Sequence, residues 1–317
     1  MNRLRPRQPI IPGTAQDRTG AQGILRRANA AIRKRWAGLE AEVLAIFARI
    51  RVVGEVAQND QSAQPRTIYA LTPEEMAATM QALREAFDRW IEAVAGGSYR
   101  THWYAQFDAE AAQLGAAQSV ANLTGLSATY AASRDLSSAI FSQPFQNRVA
   151  MAQIKSYEHW TGLSAGERSV LSQIIGRGIA DGKNPRALRA EIQERLGVSR
   201  SKAEAYAQTD LTDTLRMTRL DERDWAVENL GMAIGLLWKS ALIPTTRPWH
   251  ASRNGKVYTS AEVRDFYAGP DRFRCHCSVT EVLLDDDGQP LLTDRSKQIS
   301  RDELAAWKQQ QAKAAKP

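Results

Sequence analysis

Apolar residues recur at helical spacing along most of the chain and switch to strand-like runs only beyond Gly231. Ile24–Val56, rich in Ala, Arg, Leu and Ile, predicts helix, with Gly38 and Gly54 as weak points. The polar run Gln58–Ala70 contains Pro65 and reads as a linker. Thr72, Pro73 and Glu75 then form a start signal: a cap, a proline at the first helical position and a capping-box acid. Met76, Met80, Leu83, Phe87, Trp90, Ile91 and Val94 follow on one face, and Gly96-Gly97 closes the helix. Such a stripe reads as core. Ala-rich helical segments fill 98–160, with breaks expected at Gly115, Gly125 and Pro144. Two more helices fill 164–196, separated by Asp181–Pro185, and Ser199 is placed to cap a long helix reaching about Asn229.

After Gly231 the pattern predicts strands at Met232–Ser240, Lys256–Thr259 and Cys277–Leu284, with a short helix at Ser260–Tyr267. Asn254-Gly255 and Asp285–Gly288 read as turns, and Ser300 with Glu303 reads as a capping box opening a last helix. The expected fold is mainly α with a small α+β C-terminal domain: a helical N-terminal body and a short antiparallel sheet near residues 232–284. The expected segments are a basic arm at 1–23, a helical body at 24–198, an α+β domain at 199–290 and a C-terminal helix and tail at 291–317.

Charge changes this picture. The chain has 317 residues and a net charge of +7. Nine basic residues, Arg3, Arg5, Arg7, Arg18, Arg26, Arg27, Arg33, Lys34 and Arg35, stand in the first 35 positions against one acid, Asp17. The remainder is nearly neutral. An arm punctuated by Pro6, Pro9 and Pro12 and carrying such charge predicts non-specific contact with phosphate, on DNA. Ordinary globular composition, 43% hydrophobic and 24% charged, excludes collagen-like, disulfide-stapled and wholly disordered chains. No apolar run approaches the roughly 20 residues of a membrane span, and no secretory signal is visible.

The candidate chemistry is concentrated near the end. Cys275 and Cys277 are the only cysteines, too close in sequence for an unstrained disulfide. His250 joins them in the same region, so the three supply a candidate zinc set, with His276, Asp265, Asp271 or water as the fourth ligand. On a strand Cys275 and Cys277 share one side and His276 takes the other. The alternative is ordinary core packing of two small thiols. Arg247 lies three residues from His250, and Asp210 sits on the apolar face of its helix, so both are read as members of a structural polar cluster. His102 and His159, each beside a tryptophan, read as core or interface residues. Gly176, Gly178 and Gly182 lack the preceding strand of a dinucleotide fingerprint, and no catalytic nucleophile motif is present.

The order Gln208-Thr209-Asp210, Trp238, Arg247-Pro248-Trp249-His250, Gly255, Cys275-His276-Cys277 resembles the Mu F-like head-morphogenesis (minor head) proteins of tailed bacteriophages. Those chains carry an Arg-Thr-Glu-like tripeptide, a strand ending in Trp, an Arg-x-x-His segment, a Gly turn and a Cys-Arg-Cys-like segment. Here Gln208, Asp210 and His276 depart from that pattern. The resemblance covers 199–284. It implies a non-enzymatic virion structural protein of the head interior or portal vertex, assembled in the host cytoplasm. Its implied partners are the portal protein, the major capsid protein and packaged DNA. The competing expectation is a nuclease-like or other effector activity at the C-terminus.

Overall fold

A computed structural model describes residues 5–56, 65–92 and 98–314. The chain is mainly helical, with two small antiparallel sheets. It divides into two compact units, each assembled from separated stretches. A helical unit comprises Arg27–Ala105 and Ile154–Ala207, and a sheet unit comprises Met1–Arg26, Gln106–Gln153 and Gln208–Pro317. These units cut across the four consecutive segments expected above. Three of the four boundaries fall inside the long helices of residues 22–48, 143–180 and 185–230, where no loop marks them.

In the helical unit, α1 (Gln22–Ala48) ends earlier than expected, and β1 (Arg51–Val56) pairs antiparallel with β2 (Arg66–Ala70). The expected helix through Val56 and linker to Ala70 are therefore corrected to a β-ribbon. Val52, Val53 and Val56 favour strand, and Thr67, Ile68 and Tyr69 give β2 the same bias. A bulge between Val52 and Gly54 breaks the register. Thr72 caps α2 (Pro73–Phe87) through the expected capping box. Leu83, Phe87 and Ile91 of the Met/aromatic stripe are buried in the unit's own core, whereas the expected stop at Gly96-Gly97 lies outside the described residues. The second half of the core comes from α6 (Gln143–Ala180) and α7 (Pro185–Leu230), which supply Trp160, Leu171, Ile175, Leu188 and Ile192. The expected start at Ser199 is corrected: α7 runs through it, and the Ser199 hydroxyl accepts a hydrogen bond from Trp36 Nε1 at 3.2 Å.

His102 is buried in this unit among Trp103, Tyr157 and Trp160, with ring centroids 5.5, 5.8 and 6.5 Å away. Burial lowers its pKa to about 4, and the nearby Arg35 adds to that. The native state thus holds a neutral imidazole, while the unfolded chain protonates near pH 6.5. His102 therefore contributes full stability above pH 6.5, and that stability is lost as pH falls towards 4. Urea unfolding of the wild type and His102→Phe at pH 7 and pH 5 is expected to show a larger drop in the wild type. Equal drops would sink this assignment.

The sheet unit is built on α3 (Ala105–Leu126) and the end of α7, whose backbones approach closely at Gly115. Gly115 does not break α3, contrary to expectation, because the approach requires a residue without a side chain. The short α4 (Ala128–Ser133) and α5 (Leu136–Ile140) lead to Pro144, which sits in the first turn of α6. The sheet has the order β4-β3-β5, and its strands β3 (Ile234–Lys239), β4 (Val257–Tyr258) and β5 (Ser278–Leu283) lie where the sequence pattern predicts strands. Trp238 lies opposite Val279, and Leu237 opposite both Thr280 and Val257. Between the strands come α8 (Pro248–Ala251) and α9 (Ser260–Ala268), the latter capped by Thr259 and Glu262. The last helix, α10 (Asp294–Ala314), begins one and a half turns before the expected Ser300, because the Thr293 hydroxyl accepts the Ser296 N–H and opens it. Ser300 and Glu303 instead receive the Lys239 ammonium at 3.1 and 2.6 Å.

The expected arm is extended but docked on the sheet unit. Arg7 N–H donates to the Leu291 carbonyl, Ile10 N–H to Asn122 Oδ1, and Arg18 N–H to the His276 carbonyl. Thr280 Oγ1 donates to the Ile10 carbonyl at 3.0 Å.

Candidate metal centre

Two loops of the sheet unit bring the site together. The first follows β3. Trp238 Nε1 donates to Ser240 Oγ, and Ser240 Oγ donates to the His250 carbonyl at 2.6 Å. Asn254 Oδ1 accepts the Ser240 N–H, and Asn254 Nδ2 donates to the Ser300 carbonyl. Gly255 takes φ +79° and returns its N–H to the Trp238 carbonyl, as the Asn-Gly turn signal demands. His250 is thus fixed against Trp238, edge to face, with centroids 5.6 Å apart.

The second loop leads into β5. Pro270–Arg272 form a single 3₁₀ turn, and Arg274 takes φ +51° while its N–H donates to Thr209 Oγ1. A non-glycine residue there is strained. The bend lets Cys275 and Cys277 face the same way before the regular strand begins at Ser278. Arg216 of α7 pins the bend: its guanidinium, fully buried and 4.5 Å above the Tyr267 ring, donates to the Cys275 and Cys277 carbonyls at 2.5 and 2.8 Å.

The ligand atoms of His250, Cys275 and Cys277 lie within 4.8 Å of one another, all buried. Cys275 Sγ is 3.4 Å from His250 Nδ1 and accepts the Cys277 N–H at 3.4 Å. A hydrogen bond from the Cys277 thiol holds Cys275 well below the usual thiol range, against burial and helped by Arg216 and His250. The same bond, with burial, pushes Cys277 well above it. Two soft sulfurs and an imidazole suit zinc.

Of the other expected residues, Asp271 stays close, with Oδ2 3.7 Å from His250 Nε2, and His276 and Asp265 do not join the trio. His276 turns away: Gln208 Nε2 is 2.6 Å from its Nε2, and Asp17 Oδ1 is 3.9 Å from its Nδ1. Asp265 is exposed. Arg247 donates to the Asp271 and Phe273 carbonyls, and Asp210 is buried on α7. Of the expected phosphate-binding residues, Arg18 is buried and paired with Glu303, Arg33 pairs with Glu204, and Arg35 stacks over Trp103. Arg7 donates to the Gly125 carbonyl, while Arg5, Arg26, Arg27 and Lys34 are exposed and Arg3 lies outside the described residues.

Sequence reasoning missed a second buried cluster beside this site. Arg219 of α7 and Glu281 of β5 form an ion pair at 2.7 Å, with their side chains 1% and 0% exposed. Ser119 Oγ, Asn122 Nδ2 and the Arg219 guanidinium all donate to the Glu281 carboxylate. Burial would raise that carboxyl, but Arg219 and these bonds hold it below its ordinary range. The available signal was a glutamate inside the strand-like run Cys277–Leu284 and two arginines, Arg216 and Arg219, three apart on one helix.

No curated protein and no solved structure matches the chain. Among the described residues, no helix is long and apolar enough to cross a membrane. A family model does match. Residues 169–280, from the later part of α6 into β5, match the family described as Phage Mu protein F like protein, so over this stretch the chain is similar to that family.

Proposed function

We propose that this protein is a head-morphogenesis (minor head) component of a tailed bacteriophage: a virion structural protein, not an enzyme, placed at the portal vertex or inner capsid. The single observation behind this is the phage Mu F-like match over residues 169–280. The chemistry-bearing trio supports a structural role, since His250, Cys275 and Cys277 are at most 3% exposed and offer no opening to a substrate. In this reading the trio holds a structural zinc ion, and the partners are the portal protein, the major capsid protein and packaged DNA. Mass spectrometry of purified particles tests it. The chain is expected at a stoichiometry well below that of the major capsid protein, and its absence from particles that package DNA would refute the proposal.

The DNA contact has its own test. Arg5, Arg26 and Lys34 keep their charges at the surface. Deleting the arm would also remove its bonds to the sheet unit, so substitution is the cleaner probe. Changing these three to Gln in the full chain is expected to flatten the slope of log K for duplex DNA against log salt by about 3, at roughly 0.9 per lost phosphate contact. An unchanged slope would remove DNA from the list of partners.

A further inference from the structure

The geometry points to a zinc centre in which Cys275 Sγ, Cys277 Sγ and His250 Nδ1 bind the ion, while Asp271 holds the imidazole from its far side. Asp271 is thereby a positioning residue and not the fourth ligand. The inference rests on the zinc reading above and is independent of any role in a phage head.

Three observations carry it. First, the two ring nitrogens of His250 face different partners. Nδ1 lies 3.4 Å from Cys275 Sγ, whereas Nε2 lies 3.7 Å from Asp271 Oδ2. Second, Nε2 is buried and makes no hydrogen bond. A buried imidazole nitrogen in that condition is costly, and a small rotation of Asp271 satisfies it. Third, Asp271 is already held at the correct edge, because its Oδ2 accepts the Trp249 Nε1 proton at 2.8 Å. The neighbouring Arg247 fixes the same loop through the Asp271 and Phe273 carbonyls.

Together these make a carboxylate–histidine–metal arrangement, in which the outer carboxylate sets the tautomer and orientation of the ligand. Charge agrees with it. Zinc with two thiolates and one neutral imidazole is formally neutral, as a fully buried centre requires. The ion would join the loop after β3 to the loop before β5.

The test uses the full chain, purified without chelator. Zinc by elemental analysis is expected at one per chain. With cobalt(II) in place of zinc, a thiolate-to-cobalt charge-transfer band is expected, and Cys275→Ser with Cys277→Ser abolishes it. Asp271→Asn keeps the Trp249 bond, so it is expected to bind one zinc, keep the cobalt band, and lose zinc 10- to 100-fold more readily to a competing chelator. Zinc well below one per chain, with no charge-transfer band on adding cobalt(II), would overturn the centre. An Asp271→Asn affinity equal to that of the wild type would overturn the positioning role. A zinc-loaded chain missing from particles would refute only the head assignment, and a metal-free chain within particles only the centre.

Discussion

Glu281→Leu is expected to destabilise the sheet unit by about 3–5 kcal/mol, because it strands Arg219 in the core without its counter-charge. The geometry leaves little room for relief. Arg219 is wholly buried, and its remaining acceptors are Thr280 Oγ1 at 3.0 Å and Gln118 Oε1 at 3.3 Å, both neutral. Ser119 loses its acceptor as well, and Asn122 keeps only the residue 281 backbone carbonyl. The paired change Arg219→Met with Glu281→Leu removes both charges at similar volume and is expected to recover much of that loss. Urea unfolding of Glu281→Leu, Arg219→Met and the double variant checks the pattern. A single-variant cost under about 1 kcal/mol, or a double variant worse than either single, would show that water or another group compensates the charge.

Gly115→Ala is expected to cost about 2–3 kcal/mol, although alanine is the better helix former by about 1 kcal/mol. A Cβ at position 115 would lie 2.3 Å from the Leu215 carbonyl oxygen, a backbone atom that cannot turn aside. The two helix backbones must separate, and the Ala112 and Ala116 contacts with Phe145 on α6 loosen with them. Gly166→Ala in α6 is the control. Nothing lies within 4 Å of a Cβ there, so the same exchange is expected to stabilise by up to about 1 kcal/mol. Thermal or urea unfolding giving the two variants the same sign would refute the close-approach argument.

The strands around the site were legible because their apolar runs are short, β-rich and bounded by turn residues: Asn254-Gly255, and Asp285–Gly288, where Gly288 N–H donates to the Asp285 carbonyl. The candidate metal trio was legible because both cysteines and a histidine stand in one small region. Its convergence was not, since it depends on the left-handed backbone at Arg274 and on the grip of Arg216 from a helix some 60 residues earlier. The misplaced starts share one cause. Ser199 and Ser300 look like caps, but each hydroxyl is taken by a distant donor, Trp36 Nε1 and Lys239 Nζ. A side chain that satisfies a tertiary partner no longer marks a boundary. The β1–β2 ribbon was masked by a run of good helix formers before it and a proline inside the expected linker. The docked arm was read from its prolines and charge alone, which do not reveal bonds to residues near the opposite end of the sequence.

The interleaving of the units also sets an order of events during synthesis. All residues of the helical unit have left the ribosome once Ala207 emerges, so that unit can close while the nascent chain is still growing. The sheet unit cannot. Its residues 5–20 are made among the first, yet their partners Thr280, Leu291 and Glu303 are made among the last. Until then Arg18 lacks its Glu303 partner and the apolar face of α3 lacks its cover from β5. Translational pausing before residue 280 would therefore prolong a half-folded species with both features exposed, and chaperone dependence should track that pause.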